Sequence, residues 1–281
     1  MTENQAQEPF LIIRPRRGWQ LIPVRELIAY RDLLNTLALR DVKLRYRQTA
    51  VGVLWVILQP LIGAGLFSFI FGSVAKLSTG NDKVPYLVFS FSGLMCWNLF
   101  AQIVQKSSDS MVQNAGLVSK IYFPRLILPL STVHGVLLDF VVAGVLLAAL
   151  MATYSVPVTP ALAWLPVAVL MAVLLALGLG AWLAALNVSY RDVRYVVPVM
   201  IQFLFWASPV AYALSNVPPK AQAVMALNPM VGVLELFRHA VLGTPLANPA
   251  AVAASGAACL LVFLFGLMVF QRFERRFADV I

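Results

Sequence analysis

Two cysteines, two histidines and a charged fraction of 12% in 281 residues leave little from which to build a soluble catalyst. Cys96 and Cys259 both fall in apolar runs, so neither a disulfide framework nor a cysteine metal site is expected, and both read as small apolar fillers. No GxxxxGK[ST] run occurs, which removes the phosphate cradle of a P-loop ATPase, and HExxH, CxxC and GxSxG are missing too. The stretch before Arg14 offers only Phe10–Ile13 as an apolar core, too short for a signal sequence. So few charges cannot cover a soluble domain of this length.

What is abundant is apolar sequence in long blocks. Hydrophobic residues make up 60% of the chain, and the mean hydropathy is +0.83. About 20 apolar residues cross a hydrocarbon core roughly 30 Å thick. Such runs occur at Val51–Val74, Pro85–Val104, Leu126–Ala152, Ala161–Leu186, Tyr195–Leu214 and Ala250–Phe270. Pro60, Pro166, Pro198 and Pro209 lie in or near them, which membrane helices tolerate when neighbours satisfy the freed backbone groups. A spanning barrel needs short alternating strands, and continuous runs are not that. The expected fold is an all-α integral membrane protein with six spans.

The net charge of +9 does not point to nucleic acid, because the basic residues follow the spans. Six crossings put 17 of the 21 Lys and Arg on one side: nine before the first span, then Lys106, Lys120, Arg125, Arg191, Arg194, Arg272, Arg275 and Arg276. Lys76, Lys83, Lys220 and Arg238 fall on the other. By the positive-inside rule both termini are expected in the cytoplasm.

Three segments neither span nor simply connect. In Val24–Gln48, Tyr30, Leu34 and Leu37 recur at helical spacing, as do Leu33, Leu37 and Leu44, while Arg40, Lys43, Arg45 and Arg47 occupy the rest. That is an amphipathic helix for the membrane interface, its bases near anionic headgroups. Gln105–Arg125 carries Asn114, Gly116, Lys120, Tyr122 and Arg125 between spans two and three, a pattern that suits a docking knob. Ser215–Pro249 holds two apolar pieces too short to span, broken at Asn228-Pro229, which suggests a re-entrant pair. Glu235 and Arg238 stand one turn apart and are expected to pair. Within the spans, Asp139 is the acidic residue and a functional candidate by default. Aromatics crowd spans one, two and five: Trp55, Phe67, Phe71, Tyr86, Trp97, Phe100, Phe203, Trp206 and Tyr212. Rings of this kind suit the C–H faces of sugars, with Gln59, Asn98, Gln102 and Gln202 near enough in sequence to bond hydroxyls.

Four stretches then carry a resemblance: Tyr30–Leu61 (YRDLLNTLALRDVKLRYRQTAVGVLWVILQPL), Lys120–Ser131 (KIYFPRLILPLS), Asn187–Tyr212 (NVSYRDVRYVVPVMIQFLFWASPVAY) and Asn228–Gly243 (NPMVGVLELFRHAVLG). In that order, over nearly the whole chain, they resemble the permease subunits of ATP-binding-cassette exporters of polysaccharides such as O-antigen, capsule and teichoic acid. The resemblance implies residues 1–23 as a cytoplasmic tail, 24–48 as the interface helix, 49–273 as the six-span domain and 274–281 as a second tail. It also makes 105–125 the ATPase coupling loop and 215–249 the outer re-entrant segment. It implies a homodimer of this chain with two ATPase subunits, which hold the ATP and Mg, and no cofactor on this chain. The cargo would be a polyprenyl-pyrophosphate-linked glycan, its pyrophosphate meeting Arg40, Lys43, Arg45 and Arg47. A drug or small-lipid permease of the same superfamily, or a proton-coupled carrier using Asp139, are the competing functions.

Overall fold

The structure, a computed structural model, describes residues 24–47, 52–81, 83–190 and 192–274, and among these the side chains of all but residues 24, 25, 44–47, 52–54 and 56. The tail expected over 1–23, and the one expected beyond Glu274, lie outside the described residues.

Each long apolar run is helical over most of its described length, and no strand occurs among the described residues. Helix α1 (Val24–Ala29) and helix α2 (Arg31–Arg47) are separated by a turn at Tyr30. Helix α3 (Gly52–Phe67) passes through Pro60 and widens into π turns over Ser68–Val74. Helix α4 (Tyr86–Gln113) is followed by the one-turn α5 (Ala115–Val118) and by α6 (Ile127–Thr153). A 3-10 turn at Pro160–Trp164 leads into α7 (Leu165–Ser189), and α8 covers Val193–Trp206. The short α9 (Pro219–Met225) and α10 (Pro229–Leu242) meet at 105°, and α11 (Pro249–Glu274) closes the described chain. Five of these runs are each long and apolar enough to cross a membrane: α3 with its π turns, α4, α6, α7 with its 3-10 turn, and α11.

Helix α4 is the centre of the bundle. Val88, Phe89, Phe91, Leu99, Phe100 and Ile103 are all buried, on successive faces, because α3, α6, α7, α8 and α10 pack around it. Where α7 crosses α11, Gly178 lies against Gly266, and a Cβ on Gly266 would strike the Gly178 carbonyl. Small residues at such a crossing let backbones approach, which supplies packing where lipid supplies no hydrophobic force. A second apolar cluster gathers Leu37 and Leu33 from α2, Val118, Phe123 and Ile127 around α5, and Leu267 and Phe270 from α11. The apolar stripe of α2 therefore packs against protein.

Three expectations need correction. The fifth run, Tyr195–Leu214, is helical only to Trp206, because Pro209 has no N–H to give and disfavours helix at Ser208. At 14 residues α8 is about 21 Å long, short of a hydrocarbon core. The loop expected over 105–125 begins only at Asn114, since Gln105–Gln113 contains neither proline nor glycine and continues α4. Glu235 makes no close ion pair with Arg238, whose guanidinium is turned into the bundle to bond backbone carbonyls, although the two stay within electrostatic reach.

Candidate functional site

The non-helical residues after α8 are held by a small set of side chains. Backbone without helix at membrane depth must be buried in protein and have its polar groups satisfied. Ser208, Pro209, Val210, Ala211 and Ala213 are indeed buried. Arg238 on α10 donates to the carbonyls of Pro209 at 2.7 Å, Val210 at 2.6 Å and Tyr212 at 3.3 Å. The Tyr86 hydroxyl, from the first turn of α4, donates to the Ala211 carbonyl at 2.7 Å. Asn228 donates to the Ser208 hydroxyl at 2.8 Å and to the Ala207 carbonyl at 3.4 Å. Backbone N–H groups of Val210 and Asn216 serve the carbonyls of Ser208 and Ala213. Every carbonyl from 207 to 213 thus has a donor.

Arg238 is only 5% exposed, and its guanidinium lies 3.8 Å from the centre of the Phe89 ring, in cation–π contact. Gly93 lets it in: a Cβ there would meet both the Val210 carbonyl and an Arg238 terminal nitrogen. The Asn228 side-chain Oδ1 caps α10 by accepting from the Met230 N–H at 3.0 Å, with Pro229 at the first helical position. Thus Asn228, Pro229 and Arg238 form one unit with the 207–213 segment, and Glu235 stands beside it, half-buried.

At the other end of α4, Asn114 stands at the N-cap of the one-turn α5, and the loop shows Gly116, Lys120, Ile121 and Tyr122 to solvent. Tyr122 and Ile121 are each 57% exposed, although Phe123 and Pro124 beside them are buried. Arg125 turns the other way. Its backbone N–H and guanidinium both bond Glu274 at the end of α11, which anchors the loop rather than presenting the arginine.

Arg40 bonds Asp41 at 3.0 Å and donates to the Asn114 side chain at 2.9 Å, linking α2 to the loop. Lys43 is exposed, and Arg45 and Arg47 belong to the last turn of α2, whose side chains lie outside the described residues. Behind Asp41 a cavity of about 300 Å³ is lined by Lys106, Ser110, Asn114, Ser131 and Thr132. Lys106 was not among the expected site residues, and the break in apolar sequence at Gln105-Lys106 was the signal for it.

The aromatic set divides in two. Trp55, Phe203 and Trp206 are 56%, 72% and 59% exposed, on α3 and α8. Tyr86, Trp97 and Phe100 are buried within the bundle, while Phe67, Phe71 and Tyr212 are half-buried. Phe205 connects the groups, stacking on Phe67 at 6.0 Å and meeting Trp97 edge-on at 5.5 Å. Gln59 and Gln202 are exposed on the same two helices. Asn98, Gln102 and the buried Asp139 instead surround a cavity of about 30 Å³ beneath Pro60, space for about one water.

Membrane-length helices around a buried central helix, a bent helix pair and an exposed loop define a multi-pass permease-type membrane subunit. The family profile described as ABC-2 type transporter matches residues 32–242, and the chain belongs to that family. Among its relatives, an O-antigen export system permease protein of Myxococcus xanthus is 30% identical, covering 92% of this chain and 98% of the relative. One of the same description from Klebsiella pneumoniae is 29% identical over 89% of this chain and 95% of its own length. A polysialic acid transport protein of Escherichia coli is 24% identical over 86% of this chain and 93% of its own.

Proposed function

We propose that this chain is the channel-forming subunit of an ATP-driven exporter that carries a lipid-linked polysaccharide out of the cytoplasm. The observation that carries the proposal is the end-to-end likeness to relatives named for O-antigen and polysialic acid export. The sequence offers no P-loop, so hydrolysis belongs to a separate ATPase, in two copies against two of this chain. Its docking surface is the loop that presents Gly116, Lys120 and Tyr122 beside Asn114; the distribution of Lys and Arg puts it on the cytoplasmic side with both termini, α8 and the 207–213 segment together counting as the sixth crossing.

The glycan's pyrophosphate, on a polyprenyl carrier, is met by Lys43, Arg45 and Arg47 on α2, with Lys106 in the cavity behind it. Arg40 contributes as the link to Asn114 as well as by its charge. Charge-assisted hydrogen bonds favour a doubly charged headgroup over a single phosphate. The sugars then pass Trp55, Phe203 and Trp206, whose rings are open in the single chain and would line a passage between two copies.

Purification together with the neighbouring gene products tests the whole. A co-eluting Walker-motif protein is expected, with ATP hydrolysis that rises when the lipid-linked glycan is added. Neutralising Arg40, Lys43, Arg45 and Arg47 together should abolish export while the complex still assembles. Pumping along an ion gradient by the isolated chain would overturn the proposal.

A further inference from the structure

Helix α4 joins two places that the proposed function keeps apart. It runs 28 residues without a proline, about 42 Å, and is buried along most of its length. One end becomes the exposed loop at Asn114. The other end carries Tyr86, Phe89 and Gly93, three α4 residues that meet Arg238 or the 207–213 segment.

Resting on the permease reading, we propose that Tyr86 and Arg238 form a clamp that couples α4 to the outer re-entrant pair. A shift of α4 begun at the loop would thereby move 207–213 and α10 together. Tyr86 holds the Ala211 carbonyl directly, and Arg238 holds its neighbours at 209, 210 and 212 from α10 while lying on the Phe89 ring. Four consecutive carbonyls are therefore gripped from two helices. Leu227, exposed at the tip between α9 and α10, directly precedes Asn228, which bonds Ser208 and caps α10, so a label there reports displacement of the 207–213 unit. A packed core passes on such displacements because it has little free volume to absorb them. Tyr86 and Arg238 act here as positioning residues.

The test uses the complex of this chain with its co-purified ATPase in lipid nanodiscs. Leu227→Cys takes an environment-sensitive fluorophore, since Cys96 and Cys259 are buried. Mg-ATP, with and without vanadate, is the probe. In the otherwise unaltered chain the label should report a nucleotide-dependent shift. Tyr86→Phe removes one hydrogen bond and leaves the ring, so the fold should survive; Arg238→Lys is the stronger variant. Each should reduce the label's shift about threefold or more while hydrolysis continues, the size expected for losing one or more hydrogen bonds of the grip. A purely structural role would instead lower hydrolysis and the shift in proportion. An undiminished shift in Tyr86→Phe overturns the clamp. Hydrolysis without any shift in the unaltered complex also overturns it, yet leaves the permease reading standing. If no ATPase co-purifies, both fall.

Discussion

Arg238 shows why residue type matters more than charge in this chain. Three carbonyls at 209, 210 and 212 converge on one planar fork, and a lysine ammonium presents neither that plane nor those separated donors. Arg238→Lys should therefore leave buried carbonyls without donors and destabilise the fold by about 2–4 kcal/mol. Tyr86→Phe loses a single bond and should cost about 1 kcal/mol. Thermal unfolding of the detergent-solubilised chain ranks the two, and equal melting temperatures would remove the carbonyl grip as the reason for burying an arginine. Asp139 is a contrasting case. It is buried beside Asn98 and Gln102 in a space sized for one water, with no second acidic group among the described residues of the cavity wall. Asp139→Asn keeps the shape and a polar side chain, so export by the complex should continue at the wild-type rate. Loss of export with assembly intact would instead favour a proton-coupled carrier.

At the scale of elements, packing between helices and the shape of the loops decide separate properties. Gly266 faces Gly178 in backbone contact, whereas a Cβ added to Gly65 on α3 would meet nothing within 4 Å. Gly266→Leu should force α7 and α11 apart at a cost of about 2–3 kcal/mol, and Gly65→Ala should leave stability unchanged. A melting temperature unmoved by Gly266→Leu would show that the crossing is loose. The loop after α4 should behave the other way. Lys120→Glu combined with Tyr122→Ala removes exposed groups only, so melting should stay constant while retention of the ATPase on the purified complex falls about tenfold or more. Apolar runs made α3, α4, α6, α7 and α11 legible from sequence, since burial in lipid leaves helix as the available backbone solution. The Asn228-Pro229 break was legible for the same local reason. The short α8 was less so: hydropathy continues past Trp206, while helix stops for the sake of one proline. Nor could spacing reveal the Arg238 site. Its i,i+3 neighbour Glu235 offered a local partner, but the carbonyls that hold it lie 26 to 29 positions away in sequence. The aromatic set was likewise half legible, because a run of apolar sequence does not say which face of a central helix is enclosed.

For the molecule as a whole, the decisive contrast is between two kinds of exposed surface. On α6 the open positions include Leu138, Val141 and Val145, aliphatic side chains that suit lipid tails. On α3 and α8 the open positions mix aliphatics (Ile62, Leu66, Val196 and Val199) with Trp55, Gln59, Tyr195, Gln202, Phe203 and Trp206. Two amides left in hydrocarbon without partners would each cost several kcal/mol, so this face needs another polar or protein neighbour. The first span is also the least enclosed of the five long ones. A second copy of the chain meets both requirements, with a glycan passage between the two sets of rings and amides. Replacing Phe203 and Trp206 by alanine should then slow glycan export roughly tenfold, the effect of losing two ring contacts, while hydrolysis persists. Light scattering of the purified membrane subunit in nanodiscs should give the mass of two copies. A stable single copy that exports at full rate would mean that the amides of α3 and α8 face something other than their own kind.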